Sequence, residues 1–261
     1  VHAHILFLDF KLTSTITMSR MTQTSQTTRP TALVTGASKG FGRAVATQLA
    51  ARGWRLVLDA RGEADLARVA ADLPDAVAVA GDVTDPLHRE ALAAAVEVLG
   101  GIDLLVNNAS ELGPSPLPGL RAYPLDAART VYETNVIAPL ALIQLLLPSL
   151  TAAGGAIVNI SSDAAVEAYE GWGGYGSSKA ALDHIGAVLA AEESDIRVYA
   201  FDPGDMRTDM HQRAFPGEDI SDRPGAETVV PAFLRLIDER PASGRYRAAE
   251  LCAPAISEVA R

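Results

Sequence analysis

The sequence predicts a single α/β domain, a doubly wound and mostly parallel sheet of seven strands with helices on both faces. Three observations predict it. Short apolar, β-branched runs alternate with helical stretches along most of the chain. The first such run leads directly into a glycine-rich turn and then a helix. The polar residues that look chemical recur where predicted strands end, the edge at which open α/β sheets form their ligand crevice.

In chain order, strands are expected near 31–35, 54–59, 76–80, 102–106, 155–160, 195–201 and 245–248. Helices are expected near 41–52, 63–72, 86–99, 124–150, 174–192 and 226–239. The first strand is Thr31-Ala-Leu-Val-Thr35, and the helix after it runs to Arg52 and stops at Gly53. Pro139 lies inside the long 124–150 helix, where it removes a backbone hydrogen bond and should bend the helix. The segment from Met206 to Pro224 is polar and punctuated by Gly and Pro, which suits a mobile lid. Residues 1–30 are rich in Thr and Ser beyond a short apolar Ile5–Leu8 stretch and read as a disordered extension, with a start at Met21 expected. Residues 31–251 form the domain and 252–261 a tail.

Two constellations carry chemistry. Gly36-Ala37-Ser38-Lys39-Gly40-Phe41-Gly42 joins the first strand to its helix. Glycines there permit a tight turn and close backbone approach, and the helix start offers unpaired N–H groups to a phosphate. Tyr175 and Lys179 are four residues apart, so on a helix both project from one face. A free phenol titrates near ~10, and a neighbouring cation favours its ionised form. Ser162, thirteen residues before Tyr175, can hold a carbonyl oxygen while the phenol exchanges a proton with it. Ser161 and Tyr169 are the rival hydroxyls, but Tyr169 has no lysine four residues on.

With these motifs in order, the chain from about Thr31 to Leu251 resembles the classical short-chain dehydrogenase/reductase family. Thr35–Gly42 resembles its cofactor signature, with Ser38, Gly40, Phe41 and Gly42 in place. Gly81-Asp82-Val83 resembles the segment that contacts adenine, and Asn107-Asn108-Ala109 its Asn-Asn-Ala element. Asn135 falls where the family keeps an asparagine, Val158–Ser162 matches the strand ending in its catalytic serine, and Pro203-Gly204 with Thr208 resembles the nicotinamide loop. The resemblance implies a Rossmann-like fold and a catalytic set of Asn135, Ser162, Tyr175 and Lys179. In that set Lys179 also holds the nicotinamide ribose, and Asn135 holds a water that links Lys179 to solvent.

The implied activity is reduction of a ketone or aldehyde by hydride transfer, with Tyr175 as proton donor. NADP(H) is favoured over NAD(H). In this alignment Ala60 occupies the position where NAD-preferring relatives place an acid, and Arg61 follows it, with Lys39 as a second cation. Asp59 is the contrary evidence, since a shift of one residue would make it the ribose ligand. The alternative reading is a non-catalytic dinucleotide-binding module for regulation or scaffolding. A nucleotide-sugar epimerase or dehydratase of the extended type is less well matched.

Composition agrees with an ordinary globular enzyme. At 261 residues and 48% hydrophobic content the chain can bury one large core. A formal charge of −10 argues against nucleic acid or an anionic membrane as partner. Cys252 is the sole cysteine, so no internal disulfide is possible, and the five histidines show no metal-ligand spacing. A small-molecule carbonyl or alcohol is the expected substrate, a cytoplasmic location is expected, and a homodimer or homotetramer is implied by the resemblance. Ser110-Glu111-Leu112 and Asp163–Gly174, with Tyr169 and Trp172, are the expected pocket walls.

Overall fold

The computed structural model describes residues 29–252, so the expectations for the two termini fall outside the described residues. All seven predicted strands are present: β1 (Thr31–Val34), β2 (Arg55–Ala60), β3 (Ala76–Ala80), β4 (Leu104–Asn107), β5 (Ala156–Ile160), β6 (Arg197–Asp202) and β7 (Gly244–Arg247). They form one sheet in the order β3-β2-β1-β4-β5-β6-β7, and every neighbouring pair is parallel. Sequence order runs outward in both directions from β1 and β4, so the connections after these two strands diverge and leave a crevice between them.

The alternation of side chains along each strand divides the core into two layers. Ala32, Val34, Leu56, Leu58, Leu104, Val106, Val158 and Phe201 face one side, where α1 (Gly40–Ala51), α2 (Glu63–Ala71) and α8 (Val230–Glu239) cover them. Leu33, Val57, Leu105, Ile157 and Val198 face the other, where α3 (Pro86–Val98) and α5 (Ala138–Ala153) bury Leu92, Val96, Leu142, Ile143, Leu146 and Leu150. Burial on both faces explains why these strands read as continuous apolar runs.

The long predicted helix is interrupted. α4 (Leu125–Tyr132) and α5 are joined by a π-helical turn over Glu133–Ile137. The Ala138 N–H bonds the Glu133 carbonyl, five residues back. Pro139 supplies no N–H to the Asn135 carbonyl, so the distortion lies just before the proline and centres on Asn135.

Between Met206 and Pro224, the stretch read as suited to a lid and given no helix, α7 (Asp209–Ala214) forms a short helix capped by Thr208, whose hydroxyl accepts from the His211 N–H at 3.2 Å. The expected 226–239 helix divides into a 3-10 turn at Ala226–Thr228 and α8. The remaining helices are α6 (Gly173–Glu192) and α9 (Ala248–Cys252).

An aromatic triad closes the core beneath the glycine turn. Phe41 lies 5.9 Å from both Phe201 and Phe233, and those two lie 5.7 Å apart. Phe233→Ala removes the shared partner and leaves a cavity. It is expected to destabilise the protein by about 3–5 kcal/mol in chemical denaturation.

Candidate active site

The glycine turn is held by a clasp between β1 and β4. Asn108 Nδ2 donates to the carbonyls of Thr35 (2.8 Å) and Gly36 (3.1 Å). The Thr35 hydroxyl accepts from the backbone N–H groups of Asn108 and Ala109, both at 2.9 Å. A Cβ on Gly42 would stand 2.4 Å from Asn108 Nδ2 and 2.5 Å from the Gly36 carbonyl, so only glycine lets α1 begin this close to the turn. Lys39, the N-cap residue of α1, makes no side-chain capping bond. The first N–H groups of α1 therefore point toward the cleft without a side-chain partner, which fits a dinucleotide pyrophosphate.

A cleft of about 1230 Å³ runs from this turn across the carboxyl ends of the strands. Of the predicted residues, Gly36, Ser38, Lys39, Gly40, Phe41, Gly42, Arg61, Asp82, Val83, Asn108, Ala109, Pro203, Gly204 and Thr208 belong to this edge of the sheet, and all but Gly42 line the cleft directly. The Phe41 side chain turns into the core, so it offers the cleft its backbone. Asn107 is buried too, its Nδ2 donating to Asn159 Oδ1 at 2.8 Å. Lys39 pairs at 2.8 Å with Asp209 at the start of α7. Arg43, which the motif reading did not single out, lines the cleft together with Arg61.

Asp59 also lines the cleft, with its carboxylate engaged by protein partners. Strand β2 continues through Ala60, and the Asp59 carboxylate is buried, 2.7 Å from His88 Nε2 and accepting from the Gly36 N–H at 3.4 Å. Burial raises its pKa while the contact with His88 opposes that rise.

At the other end of the cleft Ser162, Tyr175 and Lys179 converge. Gly176 makes this possible, because a Cβ there would lie 2.4 Å from the Ala164 carbonyl, just beyond Ser162. The Tyr175 phenol contacts the hydroxyls of Ser162 and Ser110, and Ser110 in turn donates to Asn135 Oδ1 at 3.2 Å. Lys179 is fully buried, donates to the Ile160 carbonyl at 2.8 Å, and lies 5.5 Å from the Tyr175 ring centre.

Burial, not the neighbouring cation, dominates at the phenol. Burial drives the Tyr175 pKa above its ordinary value, and the Ser110 and Ser162 hydroxyls only partly offset it. Burial likewise lowers Lys179, to about 8, with Asp183 opposing the drop. Asn135 has its side chain committed, donating to the Glu111 carbonyl and Ser178 Oγ and accepting from the Glu111 N–H.

Two residues that rivalled the candidates also line the cleft, but their hydroxyls are bonded to carboxylates. Ser161 donates to Asp183 at 2.8 Å. Tyr169 donates to Glu167 and Asp163, and these carboxylates raise its pKa. The pocket wall beside Tyr175 is built by Leu112, Trp172, Met210, Ala214 and Phe215. Trp172 stands edge-on to Tyr175 at 5.7 Å and 5.9 Å from Phe215. Asp163 follows Ser162 directly and accepts its hydroxyl at 3.0 Å.

The family profile described as short chain dehydrogenase matches residues 30–219. The chain belongs to this family. Among curated relatives, sepiapterin reductase of Mus musculus is 36% identical over 199 residues, covering 70% of this chain and 76% of the relative. Serine 3-dehydrogenase of Rhizobium radiobacter is 35% identical over 185 residues, covering 69% and 73%. A short chain dehydrogenase structure from Pseudomonas syringae superposes with a TM-score of 0.79 at 32% identity, covering 84% of this chain and 94% of that one. A Shigella flexneri short chain dehydrogenase complexed with NADP gives 0.78 at 30% identity, covering 84% and 97%. The chain is thus an oxidoreductase of the short chain dehydrogenase family, whose members bind NAD(P).

Proposed function

We propose that this protein is an NADP(H)-dependent reductase of ketones or aldehydes. The observation that carries the reading is the buried Tyr175 phenol, in contact with the Ser162 hydroxyl and backed by Lys179. The dinucleotide, when bound, supplies the hydride. Tyr175 gives its proton to the carbonyl oxygen as that oxygen becomes an alkoxide, and its raised pKa keeps the phenol loaded for this role near neutral pH.

Ser162 fixes the same oxygen, turning its hydroxyl from Asp163 to the substrate. Lys179 binds the cofactor ribose and carries positive charge toward the phenolate left behind. The π-helical turn leaves the Asn135 carbonyl without a partner from Pro139, which suits a water that recharges Lys179. A module that only bound dinucleotide would have no use for Ser162, Tyr175, Lys179 and Asn135 gathered at one end of the cleft.

Preference for NADP(H) is supported at the adenosine end. Asp59 is taken up by His88 and Gly36, while Arg61, Arg43 and Lys39 line the cleft where a 2′-phosphate would lie. The Trp172–Phe215 wall favours a cyclic or aromatic substrate, and Asp163 beside Ser162 disfavours one with a carboxylate next to the carbonyl. Homodimer or homotetramer formation is proposed through the exposed face of Leu125, Tyr132, Ile137 and Leu145. That segment, Leu125–Ala153, is long and apolar enough to cross a membrane by composition, but its Leu142, Leu146 and Leu150 are core residues on the sheet.

Tyr175→Phe is expected to lower ketone reduction, followed by NADPH absorbance, by about a hundredfold or more while leaving NADPH affinity nearly unchanged. Unaltered turnover would remove Tyr175 from the mechanism. Arg61→Ala should weaken NADPH binding by roughly tenfold and NADH binding much less, as measured by titration calorimetry. Equal losses for both cofactors would contradict the 2′-phosphate assignment. Sedimentation should show a dimer or tetramer that Leu145→Glu shifts toward monomer, and an unshifted assembly would place the interface elsewhere.

A further inference from the structure

Behind the catalytic end, a single guanidinium joins three elements. Arg245, on β7 at the edge of the sheet, is largely buried at 24% side-chain exposure. Its Nη1 donates to Ser161 Oγ and to Asp183 Oδ2 (2.5 Å). Its Nη2 donates to the Ser162 carbonyl and to Asp202 Oδ2, both at 2.9 Å. Asp183 lies on α6, one turn after Lys179, and Asp202 ends β6 and accepts from the Gly204 N–H at 3.0 Å. The four acceptors thus come from the end of β5, from the helix of Tyr175 and Lys179, and from the strand that opens into Pro203-Gly204.

We propose that Arg245 is a positioning residue for the reductase site, fixing Ser162 against the Tyr175–Lys179 helix and neutralising the two carboxylates behind them. The proposal rests on the roles given above to Ser162, Tyr175 and Lys179. Two carboxylates that share one guanidinium and lie largely out of water require a cation between them; Arg247, 3.9 Å from Asp202, is a second but more exposed cation there. The planar fork of arginine meets four acceptors at once, which an ammonium cannot do. Without Arg245, the Ser161–Ser162 turn would lose its anchor to β7.

The charges facing the pair define the expected sign. Asp183 faces Lys179 from their shared helix, and Asp202 at the end of β6 and Asp163 after β5 face Tyr175, where Ser110 and Ser162 offer hydroxyls only. Lys179 is held down by burial, and Asp183 opposes this. Removing the Arg245 cation leaves Asp183 unopposed and raises Lys179, whereas removing the Asp183 charge lowers it.

The chain contains three lysines, Lys11, Lys39 and Lys179, so the buried ammonium can be followed individually by side-chain nitrogen NMR. In the full-length protein Arg245→Met should raise the Lys179 midpoint by about half a unit or more, and Asp183→Asn should lower it. Arg245→Met should also reduce kcat for ketone reduction by roughly tenfold or more, with NADPH affinity changed less than about threefold. Arg245→Lys should restore the midpoint but not the full kcat. A Met variant with wild-type midpoint and kcat would overturn the proposal. Should that variant not fold, an unshifted midpoint in Asp183→Asn together with full kcat in Arg245→Lys would overturn it equally. Failure of the wild-type protein to reduce any carbonyl would instead sink the reductase reading, while the midpoints would still decide the role of Arg245.

Discussion

The clasp between β1 and β4 is the constraint on which the cleft depends. These two strands are where the sheet order reverses, so their loops diverge and nothing in the topology itself holds the glycine turn in place. Thr35 and Asn108 supply that hold by exchanging five hydrogen bonds between the two loops and the turn, counting the Thr35 hydroxyl's own bond to the Val106 carbonyl. The absence of a side chain at Gly42 then lets α1 start against this clasp, and the buried Asp59–His88 pair supports the Gly36 N–H from beneath. Stiffness at the adenosine end therefore comes from buried polar groups that are almost fully satisfied, as low-dielectric networks must be to stabilise a fold.

The Tyr175–Lys179 end of the cleft uses the same physics to a different effect. Tyr175 and Lys179 are both buried, and burial moves their pKa values in opposite directions, the phenol up and the ammonium down. Each shift favours the neutral form, so the protein alone holds a loaded acid beside a cation close to releasing its proton. Groups pushed apart in this way mark a site prepared for proton transfer. The carboxylates nearby push both values upward, and Arg245 meets two of them from the β7 side.

Much of this was legible in the residues because it is local. The strand–glycine turn–helix unit and the Tyr175–Lys179 spacing are fixed by near neighbours, and all seven strands lie within two residues of their expected starts. A helix distortion near Pro139 was legible too, since a missing N–H acts on the carbonyl four residues back, though its π-helical form was not. What the sequence hid depends on distant partners. The partner of Asp59 is His88, 29 residues on, which no local pattern announces. Ser110 meets Tyr175 only because β4 and α6 converge, and Arg245 acquires meaning only when β7 closes the sheet edge. Six-residue α7 is too short for periodicity, and its one local sign was the Thr208 cap.

The five-residue wide turn before Pro139 also ties the reaction centre to the folding of a whole layer. An extra residue in a helix rotates everything beyond it by about 100°. Deleting one residue from 133–137 would let the helix run straight, but it would swing the Leu142–Leu146–Leu150 stripe away from the sheet. Smoothing the irregularity would uncover the floor beneath it, so the wide turn at Asn135 is bound to the way α5 must face.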